Sequence, residues 1–339
     1  MKIPEPINTT AAAIYALHER NNVEQPREYL GMSQIGELCE RQLWLSFRWA
    51  VREQFEGRML RLFETGHREE ARVIAELRAI GCNVRHIDPN TRKQIGVISH
   101  GGHFRGHVDA IVQGLPEAPK TWHLVDVKTT NSKKFAELTK QGMEKLYPKY
   151  WAQAHAYMGK LELDRAMYIF VCKDTDEIYP VRFEFDKAVF EANEAKAERV
   201  IFSDRIPAPI STDSTWHECR YCAAHDFCHG SKMTQQVNCR TCLHSTAERD
   251  GRWTCAHWGM DIPDVDAQRN GCDSHLLHPD LVPPDWKYEP KTDDGVIWLT
   301  PHGKISQPEY LSTEIVANPA ACASGLRDAY AQWGARVVG

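Results

Sequence analysis

Asp126, Lys128 and Asp109 are the side chains whose types and spacing could do hydrolytic chemistry in this chain. Residues 122–128, Trp-His-Leu-Val-Asp-Val-Lys, alternate with the period of a strand. Trp122, Leu124, Asp126 and Lys128 therefore fall on one face, and His123, Val125 and Val127 on the other. One carboxylate and one ammonium project side by side. Residues 103–112 also alternate as a single predicted strand, with Phe104, Gly106, Val108, Ala110 and Val112 as the apolar row and Arg105, His107 and Asp109 opposite. Between the two, residues 113–121 hold Gly114, Pro116 and Pro119 and read as a hairpin loop, so pairing predicts Asp109 beside Asp126. Two carboxylates on adjacent strands make an all-oxygen site suited to Mg²⁺ or Mn²⁺, which could polarise a phosphodiester and generate hydroxide from water. Lys128 would orient that water or offset charge building on the phosphate. Such a site works by positioning and electrostatics, with no covalent intermediate.

An Asp-x-Lys triplet alone is equally the mark of a salt-bridged surface strand; its neighbours decide its weight. Residues 58–80 carry Met59, Leu62, Phe63, Val73, Ile74, Leu77 and Ile80 as a helical stripe running into Gly81, a stop signal. His67 and Glu70 lie three apart on that helix and can face one site. A second helix, 149–160, places Gln153 and Tyr157 four apart on one face, where they would hydrogen-bond a phosphate or an active-site carboxylate, or simply form a polar helix face. The remaining pattern predicts strands near 83–88, 94–99, 166–173 and 177–185 and helices 131–142 and 186–202. The fold class expected is α/β, a mixed central sheet flanked by helices.

That order, with His67, Glu70, Asp109, Asp126-x-Lys128 and Gln153-x3-Tyr157, resembles the PD-(D/E)xK nuclease superfamily, in particular its RecB-like branch, over about residues 30–230. The resemblance implies a restriction-endonuclease-like core. It implies that Asp109 and Asp126 bind the catalytic metal, that the Val127 carbonyl adds a ligand, and that Lys128 is the catalytic lysine. His67 matches the metal-binding histidine of the iron–sulfur members, and Glu70 is a helix acid at the same site. Two departures stand out: the second acid is Asp126 where many relatives have Glu, and Val108 precedes Asp109 where the superfamily name expects Pro. Neither removes a metal ligand.

Cys219, Cys222 and Cys228 form a C-x2-C-x5-C set directly after this core, and Cys39 lies before it. Spacing alone leaves the metal open, since zinc on the three later thiols with His225 or His217 would also satisfy it. One cysteine before the core and three after it resembles the iron–sulfur cluster of CRISPR-adaptation nucleases and of AddB and RecB-type helicase–nucleases. That likeness implies a structural 4Fe–4S cluster clasping both ends of the domain. A second set follows: Cys239-x2-Cys242, then Cys255 and Cys272, with His257 and His275 as alternates, a spacing similar to a zinc knuckle. Cys82, Cys172 and Cys322 read as plain core or surface residues.

Eleven cysteines, an odd number, in a chain with no secretory signal in residues 1–10 argue for metal ligation over disulfides and for a cytoplasmic location. No apolar run approaches the twenty residues of a membrane span. The chain of 339 residues, 42% hydrophobic, suffices for one large domain and smaller additions. The divisions expected are an N-terminal helical extension (1–30), the nuclease core with its clasp (31–232), a zinc-knuckle-like module (233–282) and a tail or capping element (283–339), in which residues 296–299 read as a strand. A net charge of −5 gives no global signature of nucleic-acid binding. Two local sets, Arg41, Arg48, Arg52, Arg58 and Arg61, and Lys128, Lys133, Lys134, Lys140, Lys145 and Lys149, either line a DNA path or are solvated helix faces. Trp44, Trp49, Tyr147, Tyr150 and Trp151 are candidates for base stacking or for the core. The reading is a metal-dependent DNA exonuclease of recombination, repair or phage DNA processing, with DNA ends as substrate and a recombination or helicase partner. The competing readings are a non-catalytic DNA-binding adaptor on the same scaffold and a restriction-type endonuclease.

Overall fold

The computed structural model describes residues 9–23, 25–230, 234, 236–275, 277–281, 287–292, 295–300, 303–306 and 337–338. Cys322 and the segment 311–321 lie outside them. The chain opens with helix α1 (Thr9–Asn21), a short strand β1 (Leu30–Gly31), α2 (Glu40–Phe47) and the long α3 (Gly57–Ala79). Strands β2 (Asn83–Arg85), β3 (Gly96–Ser99), β4 (Phe104–His107), β5 (Ala110–Gln113) and β6 (His123–Thr130) follow. Next come α4 (Ser132–Gln141), α5 (Met143–Leu146), α6 (Pro148–Leu161), β7 (Arg165–Cys172), β8 (Ile178–Glu184) and α7 (Lys187–Phe202).

Five strands build the central sheet in the order β2-β5-β6-β7-β8. Its β6–β7 pair is parallel and the other pairs are antiparallel, so the sheet is mixed. Both faces are covered, as the unbroken burial of β7 requires. On one face Val73 and Leu77 of α3 pack with Val125, Val127, Met167, Ile169 and Val171. On the other, Ala154, Ala156, Tyr157 and Met158 of α6 join Leu124, Tyr168 and Phe170. Capping is explicit: the Asn131 side chain accepts from the Lys134 amide at the start of α4, and Asp186 accepts from Ala188 and Val189 at the start of α7.

The strand predicted over 103–112 is two strands in two sheets. β4 lies between β1 and β3 in a three-stranded sheet, while β5 joins the central one. The chain changes partner at Val108 and Asp109: the Val108 amide still bonds Ile95 O at 3.1 Å, and Ala110 already pairs with Val125. Side chains keep alternating across this switch, because Phe104, Gly106, Val108, Ala110 and Val112 are all buried. Burial periodicity therefore could not reveal it.

Beyond α7 the chain carries α8 (His217–Arg220) and α9 (His225–His229), a three-stranded sheet of β9 (Ser245–Ala247), β10 (Trp253–Cys255) and β11 (Met260–Asp261), and α10 (Val265–Asn270). Trp253, Ala247, Leu277 and Leu281 share one core with Leu30, Trp44 and Phe104, so this segment is packed onto the preceding fold. Strands β12 (Lys287–Thr292), β13 (Gly295–Thr300), β14 (Gly303–Ser306) and β15 (Val337–Val338) form an antiparallel sheet, and β13 contains the predicted 296–299 strand. No helix among the described residues is long and apolar enough to cross a membrane.

Candidate active site and two cysteine clusters

Continuing the β5–β6 register of Ala110 with Val125 by one residue sets Asp109 opposite Asp126. At the switch between sheets Asp109 has no strand ladder to its front, and its Oδ2 accepts the Val127 amide at 2.9 Å. Asp126 is 2% exposed, and its Oδ1 forms an ion pair with Lys128 Nζ at 2.6 Å. Period-two alternation places Asp126 and Lys128 on one face, as their spacing requires.

Burial sets the electrostatics. It raises the Asp126 carboxyl well above the usual carboxylate range, with Lys128 opposing and Asp109 adding to the shift. Asp109 is raised for the same reason, with Lys128 and the Val127 amide opposing and Glu70 adding. Burial works against the Lys128 ammonium, but Asp126 and Asp109 outweigh it and hold its pKa above the ordinary lysine value. The lysine also sits 4.9 Å from the ring centre of Tyr150 and 5.8 Å from that of Tyr168. Glu70, half-buried on α3, is raised by burial and then by Asp126. Three carboxyls thus converge on a single ammonium, an excess of negative potential that a divalent cation would relieve.

Gln153 and Tyr157 are both buried on α6, and the Gln153 amide nitrogen lies 3.5 Å from the Tyr157 hydroxyl. Burial pushes that phenol up to about 12, with Asp126 among the causes, which places it at the edge of the same site. The Tyr157 ring rests on the backbone of Gly106, where a Cβ would fall 2.4 Å from Cε1. This contact is why a glycine stands in Gly106-His107-Val108-Asp109. His67 is exposed on α3, one turn before Glu70. Tyr168 was not singled out from sequence: it lies beside Asp126 in the parallel β6–β7 register, and its buried hydroxyl favours the charged form of the Asp126 carboxyl.

Several residues proposed for a DNA path do other work. Trp44 and Trp49 are core residues, and Arg48 is buried between the rings of Trp44 and Trp253. Arg41 donates to Pro207 O, and Lys149 pairs with Glu37 at 2.5 Å. Arg52, Arg58, Arg61, Lys133, Lys134, Lys140 and Lys145 remain exposed.

Cys39, Cys219, Cys222 and Cys228 line one cavity with His225 and His229. Cys39 occupies the N-cap of α2, and the Ala224 amide donates to Cys222 Sγ at 3.4 Å. Burial pushes the Cys222 thiol up to about 11, with Cys228, Cys39 and Cys219 adding to the shift. Cys239, Cys242, Cys255 and Cys272 line a second cavity with His244, His257 and His275. None of the eight is in a disulfide. As placed, no three His, Cys, Asp or Glu side chains among the described residues are already arranged around a point as metal ligands.

The sequence model of the PD-(D/E)XK nuclease superfamily matches residues 10–229. No curated protein matches the chain. Solved structures similar to it include SSO0001, at 13% identity over 64% of this chain and 94% of that one, with a TM-score of 0.36. An alkaline exonuclease (LHK-Exo) from Laribacter hongkongensis is 17% identical over 56% of this chain and 90% of its own, with a TM-score of 0.36. A phage-related exonuclease from Haemophilus somnus 129PT is 14% identical over 53% and 94%, with a TM-score of 0.33.

Proposed function

The chain belongs to the PD-(D/E)XK nuclease superfamily, and from that premise we propose that it is a metal-dependent deoxyribonuclease acting as an exonuclease at DNA ends. The observation that carries this reading is the convergence of Asp109, Asp126 and Glu70 on Lys128 at the point where the chain passes between sheets. The donor set fits Mg²⁺ or Mn²⁺: it is carboxylate and carbonyl oxygen with His67 as its one nitrogen, and it gathers three carboxyls, Asp126 among them only 2% exposed, against the single ammonium of Lys128. Asp109, Asp126 and the Val127 carbonyl would hold the ion, with His67 and Glu70 on the α3 side. Such an ion would supply charge stabilisation for the phosphodiester and acidify a bound water. Lys128 stays charged beside the carboxylates and is positioned to offset phosphate charge or orient the attacking water. Gln153 and Tyr157 present an amide and a phenol that hold a phosphate or a carboxylate in place.

The first cysteine set is assigned to a 4Fe–4S cluster. Its support is that Cys39 comes from the front of the chain to the cavity of Cys219, Cys222 and Cys228, so a cluster would close the nuclease fold on itself. The second set is assigned to Zn²⁺. A cytoplasmic role in recombination, repair or phage DNA processing, with a helicase or recombination partner, completes the reading.

End dependence is tested with linear and circular forms of one DNA, single- and double-stranded, with and without Mn²⁺. An exonuclease releases nucleotides from the linear forms and spares the closed circles. Equal degradation of circular DNA would replace the exonuclease assignment with an endonuclease.

A further inference from the structure

We infer that Cys239, Cys242, Cys255 and Cys272 form a closed thiolate site for one zinc-class ion whose work is to bolt helix α2, and with it Cys39, in place; the link to Cys39 rests on the iron–sulfur reading of the first cluster. Separate pieces of backbone deliver the thiols. Cys239 and Cys242 sit on a tight turn closed by the Cys242 amide on Cys239 O at 3.0 Å and by the Asn238 side chain, which accepts from the Thr241 amide at 3.1 Å. Cys255 ends β10, directly opposite Ser245. Cys272 follows Gly271, whose φ of 63° is a left-handed conformation that favours glycine and turns the chain beside Asn238. The four thiols face one cavity of about 20 Å³. His244, His257 and His275 line it too, and the Nε2 of His275 lies 3.1 Å from Thr241 Oγ1; the four sulfurs are the donor set proposed. Four soft thiolates select zinc over the hard cations suited to Asp109 and Asp126.

Arg240 explains what the ion would hold. It stands between Cys239 and Cys242, is 1% exposed, and reaches into the nuclease fold. There it donates to Phe47 O at 3.0 Å, Glu28 O at 2.8 Å and Gln268 Oε1 at 2.9 Å, and it lies 3.9 Å from the Trp49 ring centre. Phe47 is the last residue of α2 and Cys39 is its N-cap. One helix, about 12 Å long by its residue count, therefore has the first thiol cluster at its start and the anchor of the second at its end. Losing the ion would free the Cys239–Cys242 turn, loosen Arg240 from Phe47, and release the end of the helix that carries Cys39.

The test uses the full chain purified without chelators, compared with a Cys255→Ser/Cys272→Ser variant and an Arg240→Met variant. Zinc and iron are measured by elemental analysis, and iron release is timed against a ferrous chelator. Zinc should be present in the parent chain and in Arg240→Met and absent from the double cysteine variant. Both variants should release iron at least about fivefold faster than the parent, the range expected of coupled sites. A parent chain without zinc, or a double variant that keeps it, overturns the metal site; unchanged iron release in both variants overturns the bolt. Should the parent carry no iron, the same bolt is read from the alkylation rate of Cys39, which must rise on zinc loss and would stay constant if α2 were independent of it. DNA cleavage is not among these readouts, so failure here leaves the nuclease assignment standing.

Discussion

The Val127 amide donates to Asp109 Oδ2 at 2.9 Å, so the backbone between Asp126 and Lys128 is what orients the acid on the neighbouring strand. The two halves of the site are therefore fixed to each other by strand geometry, on rigid elements rather than on loops.

The Asp126–Lys128 pair should behave as a buried ion pair. Asp126→Ala leaves the Lys128 ammonium with one fewer counter-charge in a buried setting and should cost about 3–5 kcal/mol. Asp126→Leu with Lys128→Met removes both charges and should recover most of that loss. Chemical denaturation of the three proteins decides; equal stability of Asp126→Ala and the parent would show that the pair is solvated.

Gly106 should resist substitution. A Cβ at this position meets the Tyr157 ring at 2.4 Å, and overpacking of this kind costs about 1–3 kcal/mol. The loss in Gly106→Ala should shrink when Tyr157→Ala is added, because the ring that clashes is gone. Additive losses in the double variant would mean that the contact is not the cause.

Acid should destabilise the fold through buried neutral histidines. Burial pushes His103 and His155 down to about 4, and His155 Nδ1 accepts the Asp186 amide, a bond that a protonated ring cannot make. The folded pKa lies below the unfolded value of about 6.5, so between these limits the unfolded chain binds more protons. Stability should hold above about pH 6.5 and fall as the pH drops toward 4. His155→Gln should flatten this slope in thermal melts taken from pH 7.5 to 4.5; an unchanged slope would remove His155 from the account.

The proposed iron clasp predicts that Cys39→Ser and Cys228→Ser fail alike. Anaerobically purified parent protein should be brown, and each variant should lose iron together with thermal stability, because each breaks a link between the two ends of the fold. Full iron content in Cys39→Ser would reassign the first cluster to the three later thiols and a histidine.

Much of the candidate site's geometry was legible because it rests on local periodicity. Alternation in 122–128 put Asp126 and Lys128 on one face, and a short loop made β5 and β6 neighbours, which fixed Asp109 against Asp126. Tyr168 was hidden for the opposite reason. It faces Asp126 across a parallel pair joined by a long helical crossover, and nothing local specifies that register. The break between β4 and β5 was invisible because the same residues are buried on both sides of it. Arg240 was missed because an arginine between two cysteines reads as a solvated turn residue, whereas its guanidinium is buried on three acceptors and an aromatic face. Trp44, Trp49 and Arg48, plausible on paper as a DNA surface, are absorbed by that same contact region.

The central claim is that Asp109, Asp126 and Lys128 hydrolyse DNA with a divalent cation. It is tested most directly by following release of nucleotides from end-labelled linear DNA by the purified parent chain and by Lys128→Ala, each with Mn²⁺ and with EDTA. The account predicts release by the parent only with Mn²⁺ and a loss on the order of a hundredfold or more in Lys128→Ala. Release by Lys128→Ala at the parent rate, or by the parent in EDTA, would contradict it.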